Sequence, residues 1–471
     1  MPMHTWATTT RVRRTGLQLA LWGALCMGGL AVSACNATDQ LLSARDPDLI
    51  NPSDLGSPDG AEALRVGALA RFSNMTAGSD GNESTWMFGG LLADEWATSS
   101  TFVQDDEVDE RNIKLDNSIV TGQYRAINRV RTAANQAIVA LQTYSPTQSV
   151  NIAEMYLARG YAELQLASDF CNGIPLSDAA GDNLTYGTPL TVAEVFTRAV
   201  ASFDSGLALG GSDPLANALK IAKARAQVGL GDPAGAATTV AGVLTTYSYN
   251  HTYAISSGSN QIWSQAQSSR RYNVGDSIEG NSHNIPVANN LPFFSAGDPR
   301  LPASYTINTV GGKPDTVKSQ DGQTFSRTTS LYGQETPIAV ANGIDARLIE
   351  AEAALKAGDA PGMFTILDAL RGAPQTIGTI TTPVMPALTD PGTADGRIDL
   401  LFREKAFWTF SRGQRLGDLR RLVRQYNRPV TSVFPEGQHY RGGDYGPDVN
   451  LPVPNDEMNN PNFTGCIDRN A

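Results

Sequence analysis

The sequence predicts a mainly α-helical chain: tetratricopeptide-like helix hairpins in a superhelical scaffold, a large irregular loop-rich region and a few short strands. Three observations carry that class. Apolar residues recur every three or four positions through several long segments, as one buried helix face requires. An Ala-rich segment closed by a Gly-Asp turn occurs twice, the pattern of stacked helix hairpins. Residues 246–340, in contrast, hold Tyr, Trp, Ser, Asn and Gly without helical period, interrupted by Pro286, Pro292, Pro299 and Pro302.

In chain order, residues 1–34 come first. Arg11, Arg13 and Arg14 precede an apolar stretch from Leu17 to Leu30, and small residues follow. That is the order of a secretory signal, and the stretch is short for a membrane span. Cys35 stands directly after Val32, Ser33 and Ala34. This resembles the lipobox of bacterial lipoproteins, whose cysteine becomes the acylated first residue. The resemblance implies lipidation of Cys35 and a membrane tether outside the cytoplasm; an ordinary signal cleaved at Ala34 is the plainer alternative.

The segment holds three of the 36 basic residues and none of the 47 acidic ones, so 33 basic residues then face 47 acidic, a net charge of −14. Such a body lacks the basic footprint of a nucleic-acid binder or of a polybasic membrane surface. Cys26 leaves with the signal, and Cys171 and Cys466 remain. In an oxidising compartment they have one possible intramolecular pairing; two separate buried thiols are the alternative. No CxxC or Cys/His spacing points to zinc, and no metal site or cofactor is expected.

Residues 35–59 read as a lipid-anchored linker and lead-in, because Asp46-Pro47, Asn51-Pro52 and Ser57-Pro58 break helix. Residues 60–245 form an N-terminal helical region. It opens with a short amphipathic run, Ala61 to Phe72. A long helix follows around 119–141, with Tyr124, Ile127, Val130, Ala134, Ala137 and Leu141 on one face. Another spans about 151–167. Thr191 is an N-cap, and Glu194 completes a capping box for a helix to about Leu209. Residues 221–232 and 348–359 are the repeated Ala-rich segments, each followed by a second helix, 233–245 and 360–371. Residues 246–471 form the C-terminal region, with the irregular stretch, short strands near 301–308 and 323–331, and a helix from about Asp399 to Tyr426. A stretch this long without helices is usually functional.

Several segments, in this order, resemble the SusD/RagB family of outer-membrane nutrient-binding lipoproteins. They are Tyr124-Arg-Ala-Ile-Asn-Arg129, Ala153-Glu-Met-Tyr-Leu-Ala-Arg-Gly-Tyr161 with Ile174-Pro-Leu176, Gly297-Asp-Pro-Arg-Leu301, and Asp345-Ala-Arg-Leu-Ile-Glu-Ala-Glu-Ala353. Phe402-Arg-Glu-Lys-Ala-Phe407 with Gly417-Asp-Leu-Arg-Arg421, and Leu451-Pro-Val-Pro454 with Asn459-Asn-Pro-Asn462, complete the set. The resemblance covers nearly the whole mature chain. Asn36 and Leu416-Gly417 depart from the family's usual residues. The resemblance implies a helical fold with an irregular ligand region. It also implies capture of a nutrient, an oligosaccharide or a peptide, at the outer-membrane surface, and a partner, a TonB-dependent SusC-like barrel.

No catalytic motif is present: no HExxH, GxSxG, phosphate-binding or dinucleotide-binding loop. A protein-interaction scaffold and a surface glycosidase are the alternatives to nutrient binding. For the glycosidase, Asp94-Glu95 beside Trp96 is the candidate carboxylate pair, weighed against a solvated acidic pair. The run Asp105 to Glu110 is read as a solvated charge cluster rather than a calcium loop. Arg412, Arg415, Arg420, Arg421 and Arg424 are read as partners of internal carboxylates rather than an anion site. Sugars stack flat C–H faces on aromatic rings, which directs attention to Trp86, Phe88, Trp96 and Phe102, and to Tyr247, Tyr249, Tyr253, Trp263 and Tyr272. Phe88 and Phe102 are assigned to the core, in contrast to Trp96 and Trp263, which sit among Ser, Thr, Gln and Asp. Trp86, Trp96, Trp263 and Tyr272, with Asn260, Asn273 and Asp276 as polar contacts, are the expected ligand-binding residues on one exposed face.

Overall fold

The computed structural model describes residues 56–78, 84–180, 183–211, 213–280, 283–310 and 312–471. The signal segment, Cys35 and all of the lead-in before residue 56 lie outside the described residues. The main helices are α1 (Pro58–Thr76), α2 (Thr85–Ala93), α3 (Val103–Asp109), α4 (Ser118–Tyr144), α5 (Ser149–Asp169), α6 (Val192–Ala208), α7 (Asp213–Gly229), α8 (Pro233–Val240), α9 (Gly343–Lys356), α10 (Ala360–Arg371), α11 (Ala394–Trp408) and α12 (Arg415–Tyr426). Among the described residues no helix is long and apolar enough to cross a membrane.

Each helix of the scaffold packs on its successor: α4 on α5, α5 on α6, α6 on α7, α7 on α8 and α9 on α10. Helix α8 meets α9 across residues 241–342, so the irregular stretch leaves and rejoins one continuous helical layer. The two Ala-rich segments are equivalent in three dimensions. Gly231 and Gly358 take left-handed φ of 84° and 79°. Asp232 and Asp359 then cap α8 and α10, accepting from the Gly235 and Gly362 amides. Glycine ends the first helix at no steric cost, and aspartate starts the second.

Local signals placed most helices well. Thr191 and Glu194 form the expected capping box. The expected strands also form, Ala303–Tyr305 pairing antiparallel with Arg327–Thr329. Three expectations change. Pro58, read as a breaker, is the first residue of α1, capped by Ser57; proline is tolerated there because its missing N–H would have no helical partner. The helix after Asp232 stops at Val240 rather than 245, and Gly242 follows at φ 82°. The expected helix 399–426 is two helices, α11 and α12, divided at Ser411 and Gly413 with φ of 57° and 63°. A Cβ on Gly413 would fall 2.0 Å from the Trp86 ring, so this turn needs glycine for close approach as well as for φ.

The segments that carried the family resemblance interlock. Arg300 forms bonds of 2.7–3.1 Å with Asp298 and Glu404. Lys405 bridges Glu352 and Asp418, each at 2.9 Å. Arg421 joins both carboxylates. Arg412 grips Asp345 with two bonds of 2.8 and 2.7 Å. Arg415 does the same to Asp94 at 2.8 and 2.9 Å. Arg420 donates to the carbonyls of Ala167 and Ser168. The arginine-rich region thus serves internal acceptors, as expected, and only Arg424 of the five is exposed. Removing one partner of such a buried pair costs about 3–5 kcal/mol, because the other charge stays buried.

Cys171 and Cys466 form a disulfide across 295 positions. Around it the Ile467 amide donates to the Asn172 carbonyl at 2.9 Å, and Asn172 Nδ2 to Asp468 at 3.0 Å. The tail is thereby fastened to the end of α5.

Candidate functional site

The expected aromatic face does not form. Trp86, Trp96 and Tyr272 are fully buried. Trp86 Nε1 donates to Gln165 Oε1 at 3.2 Å, Trp96 Nε1 to Ser411 Oγ at 3.0 Å, and the Tyr272 hydroxyl to Asp105 at 2.9 Å. The polar neighbours of Trp96 in sequence thus report a buried hydrogen-bonded site, not a surface. The expected polar contacts are scaffold as well. Asn260 caps the one-turn helix Gln261–Trp263 and donates to the Thr336 carbonyl. Asn273 Oδ1 accepts from the Arg327 amide at 2.8 Å and from Ser319. Asp276 accepts from Ser295 at 2.7 Å. Trp263 alone of the set stays half-buried, and Phe102, expected in the core, is 42% exposed beneath the Arg271 guanidinium.

The acidic candidates change in the same way. Asp94 is held by Arg415, and its Oδ2 also accepts from the Leu291 amide at 3.0 Å. Glu95 Oε1 accepts from the Ser411 amide at 2.9 Å, and Oε2 is buried without a partner. Burial, offset in part by that amide and reinforced by Asp94, pushes Glu95 up to about 8. Both carboxylates are sealed in the core and neither lines the pocket described next. The run Asp105 to Glu110 is not solvated: it lies largely in α3, where Asp105, Glu107 and Asp109 are buried.

An open cavity of about 350 Å³ lies where the irregular stretch rejoins the helices. Tyr247, Ser248 and Asn250 form one wall, at the strand Ser248–His251, which pairs with Ile338–Asn342. The segment Pro374 to Gly378, leading into a small hairpin, forms another part of the lining. Hydrogen bonds tie the side of the lining at Asn342 and Arg412 together. Asn342 and Asp345 make a reciprocal capping box at the start of α9. Asp345 also holds Arg412, whose Nε donates to the Ala339 carbonyl at 2.9 Å. Burial raises the Asp345 pKa, but Arg412 outweighs it and holds the carboxyl below its ordinary value. Arg412 is the one formally charged residue of the lining, and Asp345 cancels it. The remaining polar side chains are neutral, among them Thr245, Thr246, Ser248, Asn250, Gln375 and Thr376. Tyr247, Pro337, Pro374 and Ile377 add apolar surface.

A cavity of this volume, with mixed walls of neutral polar groups and some apolar surface, suits a small, uncharged, polyhydroxylated molecule. Of the wall residues only Tyr247 stood out in the sequence, as one aromatic among five. Pro374-Gln-Thr-Ile-Gly378 carries no pattern, and it meets Asn250 only through the tertiary fold. A second cavity of about 420 Å³ between α4, α5 and α6 is lined by Arg131, Arg159 and Arg198. There Arg131 is engaged by the Ser177 and Leu176 carbonyls, and Arg159 by Ser202 and Asn135.

No family profile matches the chain, and no curated protein does. Solved structures match over most of its length. A SusD superfamily protein from Bacteroides thetaiotaomicron is 13% identical with a TM-score of 0.60, covering 87% of this chain and 98% of its own. A SusD-like carbohydrate-binding protein from Bacteroides fragilis is 15% identical with a TM-score of 0.59, covering 87% and 99%. NanU from Bacteroides fragilis is 13% identical with a TM-score of 0.58, covering 91% and 100%. At these identities the likeness is one of fold.

Proposed function

From the premise that the chain carries the SusD superfamily fold, we propose that it is a lipid-anchored surface protein of the outer membrane. It captures a nutrient, an uncharged oligosaccharide by preference, and passes it to a TonB-dependent SusC-like barrel. The fold match across at least 87% of the chain carries this reading. The cavity lined by Asn250 and Gln375, with its one charge cancelled, supports the choice of ligand class, because an acidic body with a pocket of no net charge disfavours anionic polymers. The leader and Cys35 support the anchor.

Three measurements test it. Affinity purification from the native envelope is expected to bring down a large barrel protein; a partner set without any barrel would favour an interaction scaffold instead. Calorimetry with a panel of neutral oligosaccharides and peptides is expected to find one saccharide ligand whose affinity falls about three- to tenfold in Asn250→Ala or Gln375→Ala, the loss of one net hydrogen bond. A binder whose affinity is indifferent to both substitutions would place the ligand elsewhere. Cys35→Ala is expected to release the protein from the membrane fraction.

A further inference from the structure

Away from the pocket, three side chains from distant segments converge in the interior. They are Asp109 at the end of α3, Glu279 in the strand Ile278–Glu279, and His439 in the loop after α12. One ligand atom of each lies within 4.8 Å of the others. None of the three is more than 3% exposed. We propose that this cluster holds one divalent transition-metal ion, zinc by its ligand chemistry, which fastens α3, the strand Ile278–Glu279 and the 436–445 loop together. No local ligand spacing announces it, because the three residues lie far apart in the chain.

Four observations support the assignment. In a tetrahedral site, bonds of about 2.0–2.2 Å place neighbouring ligand atoms roughly 3.3–3.6 Å apart; Asp109 Oδ2 and His439 Nε2 are 3.3 Å apart. Neither Asp109 nor Glu279 is ion-paired to a Lys or Arg among the described residues, although both are buried carboxylates. A doubly charged ion would cancel them, and buried charge is costly unless it is paired or coordinates metal. His439 Nδ1 lies 3.4 Å from Glu110 Oε1. A metal-bound imidazole commonly donates its second N–H to a carboxylate in this way. Finally, Asn290 reaches Glu279 Oε1 from Nδ2 at 3.3 Å, and its Oδ1 is buried without a partner. The Asn290 amide thus lies against Glu279 with its own oxygen unsatisfied. An imidazole among carboxylates suits zinc rather than calcium, which takes oxygen ligands. Full burial of all three ligands keeps them from solvent, which fits a structural ion rather than a catalytic one.

The competing occupant is a proton. Burial opposes charge on His439, but bonds to Asp109 and Glu110 outweigh it and lift the ring to about 10. A protonated imidazole donating to both carboxylates would explain two of the distances without metal; under either occupant Nδ1 carries a proton and the Arg441 amide, 3.3 Å away, does not have it as an acceptor.

The experiment uses the whole chain with an affinity tag free of histidine. Metal content by plasma mass spectrometry is expected to give about one zinc per chain, directly or after dialysis against Zn²⁺ alone. Unfolding and refolding with a chelator should remove it and lower Tm, and Zn²⁺ should restore the parent value. Glu279→Gln and His439→Gln should each weaken zinc retention roughly tenfold or more. If wild-type protein takes up no metal from Zn²⁺ and its Tm ignores both chelator and Zn²⁺, the cluster is a protonated network and the proposal is overturned. Should a variant fail to fold, the wild-type metal content and chelator response decide alone.

Discussion

Trp96→Ala is the substitution that separates a buried scaffold from a binding surface. The ring is fully buried. Its centroid lies 5.0 Å from that of Phe410, and Nε1 donates to Ser411 at 3.0 Å. The packing around it is tight: a Cβ on Gly90 of α2 would stand 2.8 Å from the indole Cδ1. Truncation therefore leaves a cavity between α2 and the α11–α12 turn and strands the Ser411 hydroxyl. Buried Trp→Ala changes of this kind cost about 3–5 kcal/mol. For a folded unit the size of residues 56–471, unfolding entropy of about 2.1 cal/mol/K per residue gives roughly 0.9 kcal/mol/K, so the melting point should fall by about 3–6 °C. Differential scanning calorimetry reads this directly. Trp263→Ala, at a half-buried ring, is the matched control and should shift by about 1 °C or less. A Trp96→Ala protein that melts with the parent yet loses ligand would refute the core assignment and restore the aromatic face.

Further outcomes follow from the same structure. Burial lifts Glu95 to about 8 and Asp169 to about 7, so the folded chain keeps protons that the unfolded chain releases near pH 4. Stability should fall as pH rises from about 4 to 8, by at most about 1.4 kcal/mol per pH unit for each group. Glu95→Gln should flatten that slope in urea titrations at pH 5 and 8, and an unchanged slope would contradict it. Replacing Cys171 and Cys466 together by serine opens a loop spanning 295 positions, an upper bound of about 5–6 kcal/mol by denatured-state entropy; native protein whose two thiols alkylate freely without reductant would deny the bridge. Gly413→Ala sets a Cβ against Trp86 at a left-handed φ and should cost about 2 kcal/mol or more, read as a lower urea midpoint.

Local signals in the chain determined the helical class, most helix starts and the paired Gly-Asp hairpins. Thr191 with Glu194, and Asp232 and Asp359 after glycine, act within a few residues, so their outcome is written in adjacent letters. Cys171 and Cys466 were legible because only two cysteines remained to pair. The order of motifs pointed to the fold that the solved structures bear out. Tertiary structure decided what is exposed. Trp96, Asn260 and Asn273 sit among polar neighbours in sequence and looked like surface, but Ser411, Thr336 and Ser319 arrive from distant segments to satisfy them. Phe102 went the other way, out to solvent under Arg271. The pocket joins Asn250 to Gln375, and the buried cluster joins Asp109, Glu279 and His439. Helix formation depends on hydrogen bonds three and four residues away. Burial of a loop residue depends on groups hundreds of residues distant, and no local pattern records which of them will arrive.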